Sequence, residues 1–471
     1  MLRNYVSSKL TENLEFRPTR GQLKMIEELA LFLSSDDPSE VMLVKGFAGT
    51  GKTTLITSVV RTLQSMKLKS VLMAPTGRAA KVLSAYTGQS AWTIHRKIYR
   101  QKSGKDGLGV FVLDRNLHKD TYFIVDEASM IGDGIPGSPF GSGDLLRDLL
   151  EFVERGSRCR LILVGDTAQL PPVGLILSPA LDPRRLNDLG LRVREIEMTD
   201  VVRQSEDSGI LYNATQIRNL ISDQMEQYPA FDFSSFSDVS LLGGEDLLDA
   251  IGNSYDRYGT GETIVVTRSN KRANRFNAGI RGQILWREEE ISAGDLLMVV
   301  KNNYFWKDED QRIDFIANGD IVKVEKVGSW EEVHGYRFAD LRISMPDHDG
   351  LELDAKVILD VLDLDAPSLT PVQQKTLYTA VADDYPDLVN QRQVGARIAL
   401  DPYYNALQVK FAYAVTCHKS QGGQWKSVFL DQGYFTDEML SLDYLRWMYT
   451  AFTRATDHLY LVNLAKQFRG R

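Results

Sequence analysis

Cysteine is almost absent: Cys159 and Cys417 are the only two in 471 residues. Two thiols so far apart make neither a disulfide framework nor a cysteine metal cluster, so a reducing cytoplasm is the expected compartment. Long apolar runs are missing too. None approaches the roughly 20 residues that cross a bilayer, and Met1-Leu2-Arg3-Asn4-Tyr5 opens no signal-peptide core, so no membrane partner is expected. Excess positive charge is also lacking, the formal net charge being −8. That argues against coating nucleic acid through bulk charge and leaves room for a local basic groove. No repeat of solenoid period occurs. With 43% hydrophobic and 25% charged residues, the composition is that of a globular chain, long enough for about two to four domains.

Against these absences stands Gly46-Phe47-Ala48-Gly49-Thr50-Gly51-Lys52-Thr53, which fits G-x-x-x-x-G-K-[ST]. Val41 to Val44 before it read as a buried strand. Leu55, Ile56, Val59, Val60 and Leu63 after it recur at helical spacing. A glycine-rich turn in that place can wrap its N–H groups around a triphosphate, and the helix N-terminus adds positive potential. The expected nucleotide site is therefore Gly46, Ala48, Gly49, Thr50, Gly51, Lys52, Thr53 and Thr54. Lys52 would meet the β- and γ-phosphates of ATP, and the Thr53 hydroxyl would bind Mg²⁺.

Apolar runs at 41–44, 70–73, 122–125 and 161–164 alternate with helical patterns at 52–66, 77–86 and 144–155. That rhythm predicts a parallel sheet covered on both faces. A second α/β region begins near residue 200. It holds a strand at Thr263 to Val266, a polar helix from Asn270, and a similar stretch over 409–463 with a strand through Ala412. Between them, 320–361 alternate with β period, and 362–404 are acidic and irregular. Residues 326–404 are thus expected to form a small mostly-β module inserted into the second α/β domain. Gly132 to Gly143, rich in Gly, Pro and Ser, reads as a surface loop.

Asp126-Glu127 ends the strand Tyr122 to Val125. Alone, such a pair reads as surface acids. Downstream of a phosphate loop, the aspartate is placed to hold Mg²⁺ and the glutamate to polarise the attacking water. Gln169, in Gly165-Asp166-Thr167-Ala168-Gln169, follows another strand end and can bond both the γ-phosphate and the water. Arg203 and Arg454 could stabilise transferring charge from a second domain, but spacing does not select them from 55 basic residues.

Taken in order, the motifs resemble one family. They are the phosphate loop, Ala74-Pro75-Thr76-Gly77-Arg78-Ala79-Ala80, Thr93-Ile94-His95, Asp126-Glu127-Ala128-Ser129, Gly165-Asp166-x2-Gln169-Leu170-Pro171-Pro172-Val173, Val202-Arg203-Gln204, Thr416-Cys417-His418-Lys419-Ser420-Gln421-Gly422 and Tyr449 to Ala455. The set is similar to the superfamily 1 DNA helicases, nearest the 5′-to-3′ RecD- and Dda-like branch. The resemblance implies an α/β fold of two RecA-like (P-loop NTPase) domains, with a β-hairpin insertion in the first and a small SH3-like β insertion in the second. It implies residues 1–200 for the first domain with a hairpin pin at 97–119, 201–325 and 405–471 for the second, and 326–404 for the SH3-like insertion. Gln22 resembles the adenine-reading glutamine, and Arg203 and Arg454 the two arginines that reach the γ-phosphate. Thr76, Arg78, His95 and Val173 resemble strand contacts of the first domain, and Thr267, Asn270, His418, Lys419 and Ser420 those of the second. Phe111, in the hairpin, is the candidate to stack on a base. Three departures stand out: Phe452 in place of a smaller aliphatic, the long Gly132 to Gly143 loop, and a missing second glycine after Val173-Gly174.

The implied activity is ATP- and Mg²⁺-dependent movement on single-stranded DNA with unwinding of forked duplexes, by a stand-alone monomer. Three alternatives stay open on the residues: RNA as the strand, since phosphate gripping is common to both; a strand-dependent ATPase that moves without unwinding; and a nucleotide switch without motor activity. Intact Glu127, Gln169 and Arg454 argue against the last.

Overall fold

A computed structural model describes residues 2–14, 18–102, 110–132, 134, 140–200, 207–306, 313, 315–388 and 390–469. In the first α/β unit the strands are β1 (Glu40–Gly46), β2 (Lys69–Ala74), β3 (Ala91–Thr93), β4 (Tyr99–Lys102), β5 (Val110–Leu113), β6 (Thr121–Val125), β7 (Arg160–Gly165) and β8 (Arg192–Met198). Six of them form a parallel sheet in the order β3-β2-β6-β7-β1-β8. Successive residues of a strand face opposite sides. Met42 and Val44 pack with Leu55, Ile56, Val59 and Leu63 of the helix Lys52–Ser65. Val41 and Leu43 pack on the other face with Leu146, Leu149 and Phe152 of the helix Leu145–Glu154. Burial on both sides explains why these strands read as unbroken apolar runs.

β4 and β5 form a separate antiparallel ladder, with Gln101 opposite Phe111. Residues 103–109, the expected hairpin tip, lie outside the described residues.

A second parallel sheet uses β9 (Val239–Leu242), β10 (Thr263–Thr267), β16 (Ala414–Thr416), β17 (Trp425–Asp431) and β18 (Ala455–Val462), in the order β16-β10-β17-β18-β9. Between its halves stands a closed barrel of β11 (Leu296–Val299), β12 (Ile321–Val333), β13 (Tyr336–Met345), β14 (Leu351–Ile358) and β15 (Leu407–Phe411).

The barrel differs from expectation in extent. Its strands begin at Leu296 and end at Phe411, outside the 326–404 drawn from the sequence, because β11 pairs with β15 (Leu297 opposite Phe411) and closes it. The apolar run through Ala412, assigned above to the second α/β domain, is that closing strand. Residues 362–404, read as irregular, hold the helices Pro371–Ala382 and Gln391–Ile398. The first of these begins with a capping box between Thr370 and Gln373 and Pro371 in its first turn, a signal present in the sequence. Leu377, Val381 and Ile398 pack under Tyr336 and Phe338 of the barrel.

Candidate nucleotide cleft and strand-facing surface

The chain ends β1 in a left-handed turn. Gly49 and Gly51 have φ of +74° and +87°, a region glycine enters without strain, and Gly51 directly precedes the helix Lys52–Ser65. The loop opens into a cleft of about 620 Å³. From the first unit, Lys52, Thr53, Asp126, Glu127 and Gln169 line it; from the second comes Arg454. Ala48, Gly49, Gly51 and Thr54 also face it, while Thr50 is buried behind it, its Oγ1 donating to Phe47 O at 2.8 Å. Gly46 lies beneath, where an added Cβ would meet Lys52 Cγ at 2.9 Å. Lys52 Nζ donates to Phe47 O at 2.9 Å and lies 3.8 Å from Asp166 Oδ2.

Asp126 follows β6, and its Oδ1 accepts the Glu127 N–H at 2.9 Å. Burial, and after it the neighbouring charge of Glu127, push the Asp126 carboxyl above the usual range. A nearby cation would reverse that shift, so the donor set of Asp126 and Thr53 fits Mg²⁺. Glu127 is held at φ +53°, the left-handed region that a residue with a Cβ seldom adopts. Gln169 Oε1 is buried in the cleft wall with no hydrogen-bond partner among the described residues.

Arg454 is 2% exposed. Its Nε donates to Thr450 O at 2.9 Å and its Nη1 to Gly423 O at 3.1 Å. Arg203 lies outside the described residues, five positions before Ser208, which lines the cleft. Gln22 is not among the residues lining the cleft; its Oε1 accepts the Thr19 N–H at 3.0 Å and closes the capping box of the helix Arg20–Leu33.

Several residues expected on the strand do other work here. Thr76 caps the helix Gly77–Thr87 by accepting the Ala79 N–H at 3.2 Å. Arg78 lies 4.1 Å from the centre of the Trp425 ring, and its Nη2 donates to Gln424 O at 2.8 Å, so it joins the two α/β units. Thr267 and Ser420 are fully buried, their hydroxyls donating to Ser269 O and Cys417 O at 3.1 and 2.8 Å. Asn270 opens the helix Asn270–Gly279, capped by Ser269.

One expectation, base stacking by Phe111, is corrected outright. Phe111 is 3% exposed, its ring 4.4 Å from Tyr304 and 4.9 Å from Phe140, so it packs the foot of the ladder against the loop before β12. His95 joins the same aromatic cluster, 4.7 Å from Phe140, and burial pushes its pKa down to about 4. A neutral imidazole there keeps one N–H to donate and carries no charge.

Other expected contacts do reach the surface. Val173 is 86% exposed and lines a cleft of about 320 Å³ shared with His418 across the two units. Lys419 is the exception: its Nζ is buried with no partner among the described residues, and burial, and then Lys410, push its pKa down to about 8. The same cleft has three walls that sequence reasoning missed: Arg268, Tyr444 and Trp447, with the Arg268 guanidinium 4.9 Å from the Tyr444 ring. Aromatics at helical spacing gave no sign beyond core packing.

Also missed was the contact between the units. Ala48 N donates to the Tyr449 hydroxyl at 2.8 Å, across 401 positions of sequence, and that hydroxyl donates to Asp166 Oδ2 at 2.7 Å. Gly422, at φ +72°, passes so close to the first unit that a Cβ would lie 2.9 Å from Thr76 Oγ1. Among the described residues, no helix is long and apolar enough to cross a membrane.

Residues 18–229 match a family model described as an AAA domain, and 411–462 one described as a UvrD-like helicase C-terminal domain. The ATP-dependent RecD2 DNA helicase of Deinococcus radiodurans is 33% identical over 199 residues, 42% of this chain and 24% of that protein. The ATP-dependent DNA helicase dda of Enterobacteria phage T4 is 24% identical over 303 residues, 60% of this chain and 62% of that one. The chain therefore spans less than two thirds of either relative. A crystal structure of a Bacteroides Pif1 helicase with ADP-AlF3 and ssDNA overlays 96% of this chain and 94% of its own, at 15% identity and a TM-score of 0.47, too slight a likeness to argue from. The matched families and relatives bear out the motif resemblance to the superfamily 1 helicases of the RecD- and Dda-like branch.

Proposed function

We propose that this chain is an ATP-driven DNA helicase that moves 5′ to 3′ on single-stranded DNA and unwinds duplex DNA. One observation carries the reading: Lys52, Asp126, Glu127, Gln169 and Arg454, scattered over the sequence, line a single cleft between two parallel-sheet units. A nucleotide in that cleft would touch both units at once. Lys52 would bind the β- and γ-phosphates, Glu127 would take a proton from the attacking water, and Gln169 would orient that water through its free Oε1. Arg454, with Arg203, would meet charge that grows on the transferring group. Asp126 and Thr53 would hold Mg²⁺, which when bound supplies charge neutralisation to the phosphates.

Since the phosphates draw Lys52 and Gln169 of one unit toward Arg454 of the other, hydrolysis would loosen the pair. A strand gripped at both units, through Val173, His418 and Lys419 among others, would then be moved in steps. The β4–β5 ladder is read as the pin that parts the fork and the barrel as the SH3-like insertion. Both cysteines are free thiols, which supports the reducing cytoplasm. A monomer is the assembly proposed.

The test is unwinding of forked DNA with a single 5′ or 3′ tail, beside ATP hydrolysis with and without strand. Unwinding only from the 5′ tail is expected. Hydrolysis stimulated by strand without unwinding would favour the translocase; ATP binding without turnover would favour the switch.

A further inference from the structure

The helix Leu442–Phe452 turns one face toward the first α/β unit. Arg446, Tyr449 and Thr450 lie at i, i+3 and i+4, one stripe of a helix. All three bond the segment 166–170: Arg446 Nη1 donates to Thr167 O, the Tyr449 hydroxyl to Asp166 Oδ2 at 2.7 Å, and Leu170 N donates to Thr450 Oγ1 at 2.8 Å. Gln421 Nε2 adds a bond to Leu170 O at 2.7 Å, so both backbone groups of Leu170 are held by the second unit. Leu170 borders the cleft shared with Val173 and His418; its neighbour Gln169 lines the nucleotide cleft. The stripe therefore runs from the strand-facing cleft to the phosphate loop.

Tyr449 is the end of that stripe nearest the nucleotide. It is 1% exposed, and burial raises its pKa well above the usual phenol value. Its neutral hydroxyl both accepts from Ala48 N of the phosphate loop and donates to Asp166, which is fully buried and 3.8 Å from Lys52. One hydroxyl thus ties the loop and the partner of its lysine to the helix that ends beside Arg454.

We infer that Tyr449 is a positioning residue that couples strand contact to ATP turnover by fixing the phosphate loop and Asp166 to the helix carrying Arg454. It rests on the function proposed above. Among the described residues, no wall of the strand-facing cleft bonds Lys52 directly, whereas the 446–450 stripe bonds both regions. With the hydroxyl gone, the ring still fills its site, but Asp166 loses a buried donor and the loop its tether. A bond to a charged buried group contributes enough for about a tenfold effect when removed.

The experiment compares Tyr449→Phe and Thr450→Val with wild type. It reads ATP turnover with and without a single-stranded oligonucleotide, the KM for ATP and the melting temperature. Tyr449→Phe should lower the ratio of strand-stimulated to strand-free turnover by roughly tenfold, with KM moving less than about threefold. Thr450→Val cuts the stripe at Leu170 and should lower the same ratio. An unchanged ratio in Tyr449→Phe overturns the coupling. So does an equal fall of both turnovers with a lower melting temperature, which marks a structural role. A wild-type enzyme whose turnover ignores strand overturns the helicase reading itself, and this is seen before any variant is made.

Discussion

Replacing Phe111 with Ala separates two roles for the β4–β5 ladder. A residue that stacks on a base would be exposed, and its loss would weaken unwinding while leaving the fold intact. Phe111 is instead 3% exposed among Phe140, Tyr304 and Phe315, with ring centres 4.9, 4.4 and 6.2 Å away. Truncating a phenylalanine so enclosed removes its transfer free energy and leaves a cavity, about 3–5 kcal/mol in all. The expected result is a fall of that size in unfolding free energy and a midpoint lowered by on the order of 10 °C. Urea unfolding followed by circular dichroism measures the first and calorimetry the second. Hydrolysis and unwinding, assayed well below the new midpoint, should fall together as the ladder loosens from the barrel. Stability within about 1 kcal/mol of wild type, with unwinding alone abolished, would refute the packing role and restore base stacking.

Lys52→Ala should abolish hydrolysis while strand binding without nucleotide survives, checked by phosphate release and by anisotropy of a labelled oligonucleotide. Arg454→Ala should bind ATP yet turn it over ~10³-fold or more slowly; because its guanidinium also bonds Thr450 O and Gly423 O, melting is measured alongside. Lys419 gives a pH dependence. To meet a strand phosphate its buried Nζ must turn outward on binding, and the phosphate then favours the ammonium, so the bound state holds the proton more tightly than the free protein. Affinity should be full below about 8 and decline as pH rises through that value, with a slope of up to roughly tenfold per unit that Lys419→Gln flattens.

The nucleotide half of the site was legible because its geometry is local. A strand end, two glycines at positive φ and a helix start lie within a dozen residues, and the residue types there admit few other structures. The barrel boundary was not legible for the opposite reason. Leu407–Phe411 is buried throughout, and a buried run reports its burial without naming its partner, so β15 fitted the second sheet as well as the barrel. Tyr449 shows the same limit within a motif. On an apolar helix it reads as core, and the bond that sets it apart reaches Asp166, 283 positions away.

The strand-facing residues were found by type yet differ in how they act. Thr76 was expected to contact the strand; its hydroxyl accepts from Ala79 N, capping the helix Gly77–Thr87. Asn270 opens another helix, whose cap Ser269 accepts the Arg272 N–H. Both helices start at the carboxyl end of a parallel strand, β2 in one unit and β10 in the other. A capped helix start keeps some backbone N–H groups free of intrahelical bonds and carries partial positive charge, a match for phosphate that needs no lysine. That resolves the tension between a chain of net charge −8 and the function proposed for it. On this account the strand is held chiefly by helix starts and backbone amides, with few formal charges to neutralise. Salt should then weaken binding only gently, with a slope of log affinity against log salt nearer that of about two phosphate contacts than of the six to ten of a basic groove. A steep slope, measured on a single-stranded oligonucleotide, would return the grip to charged side chains.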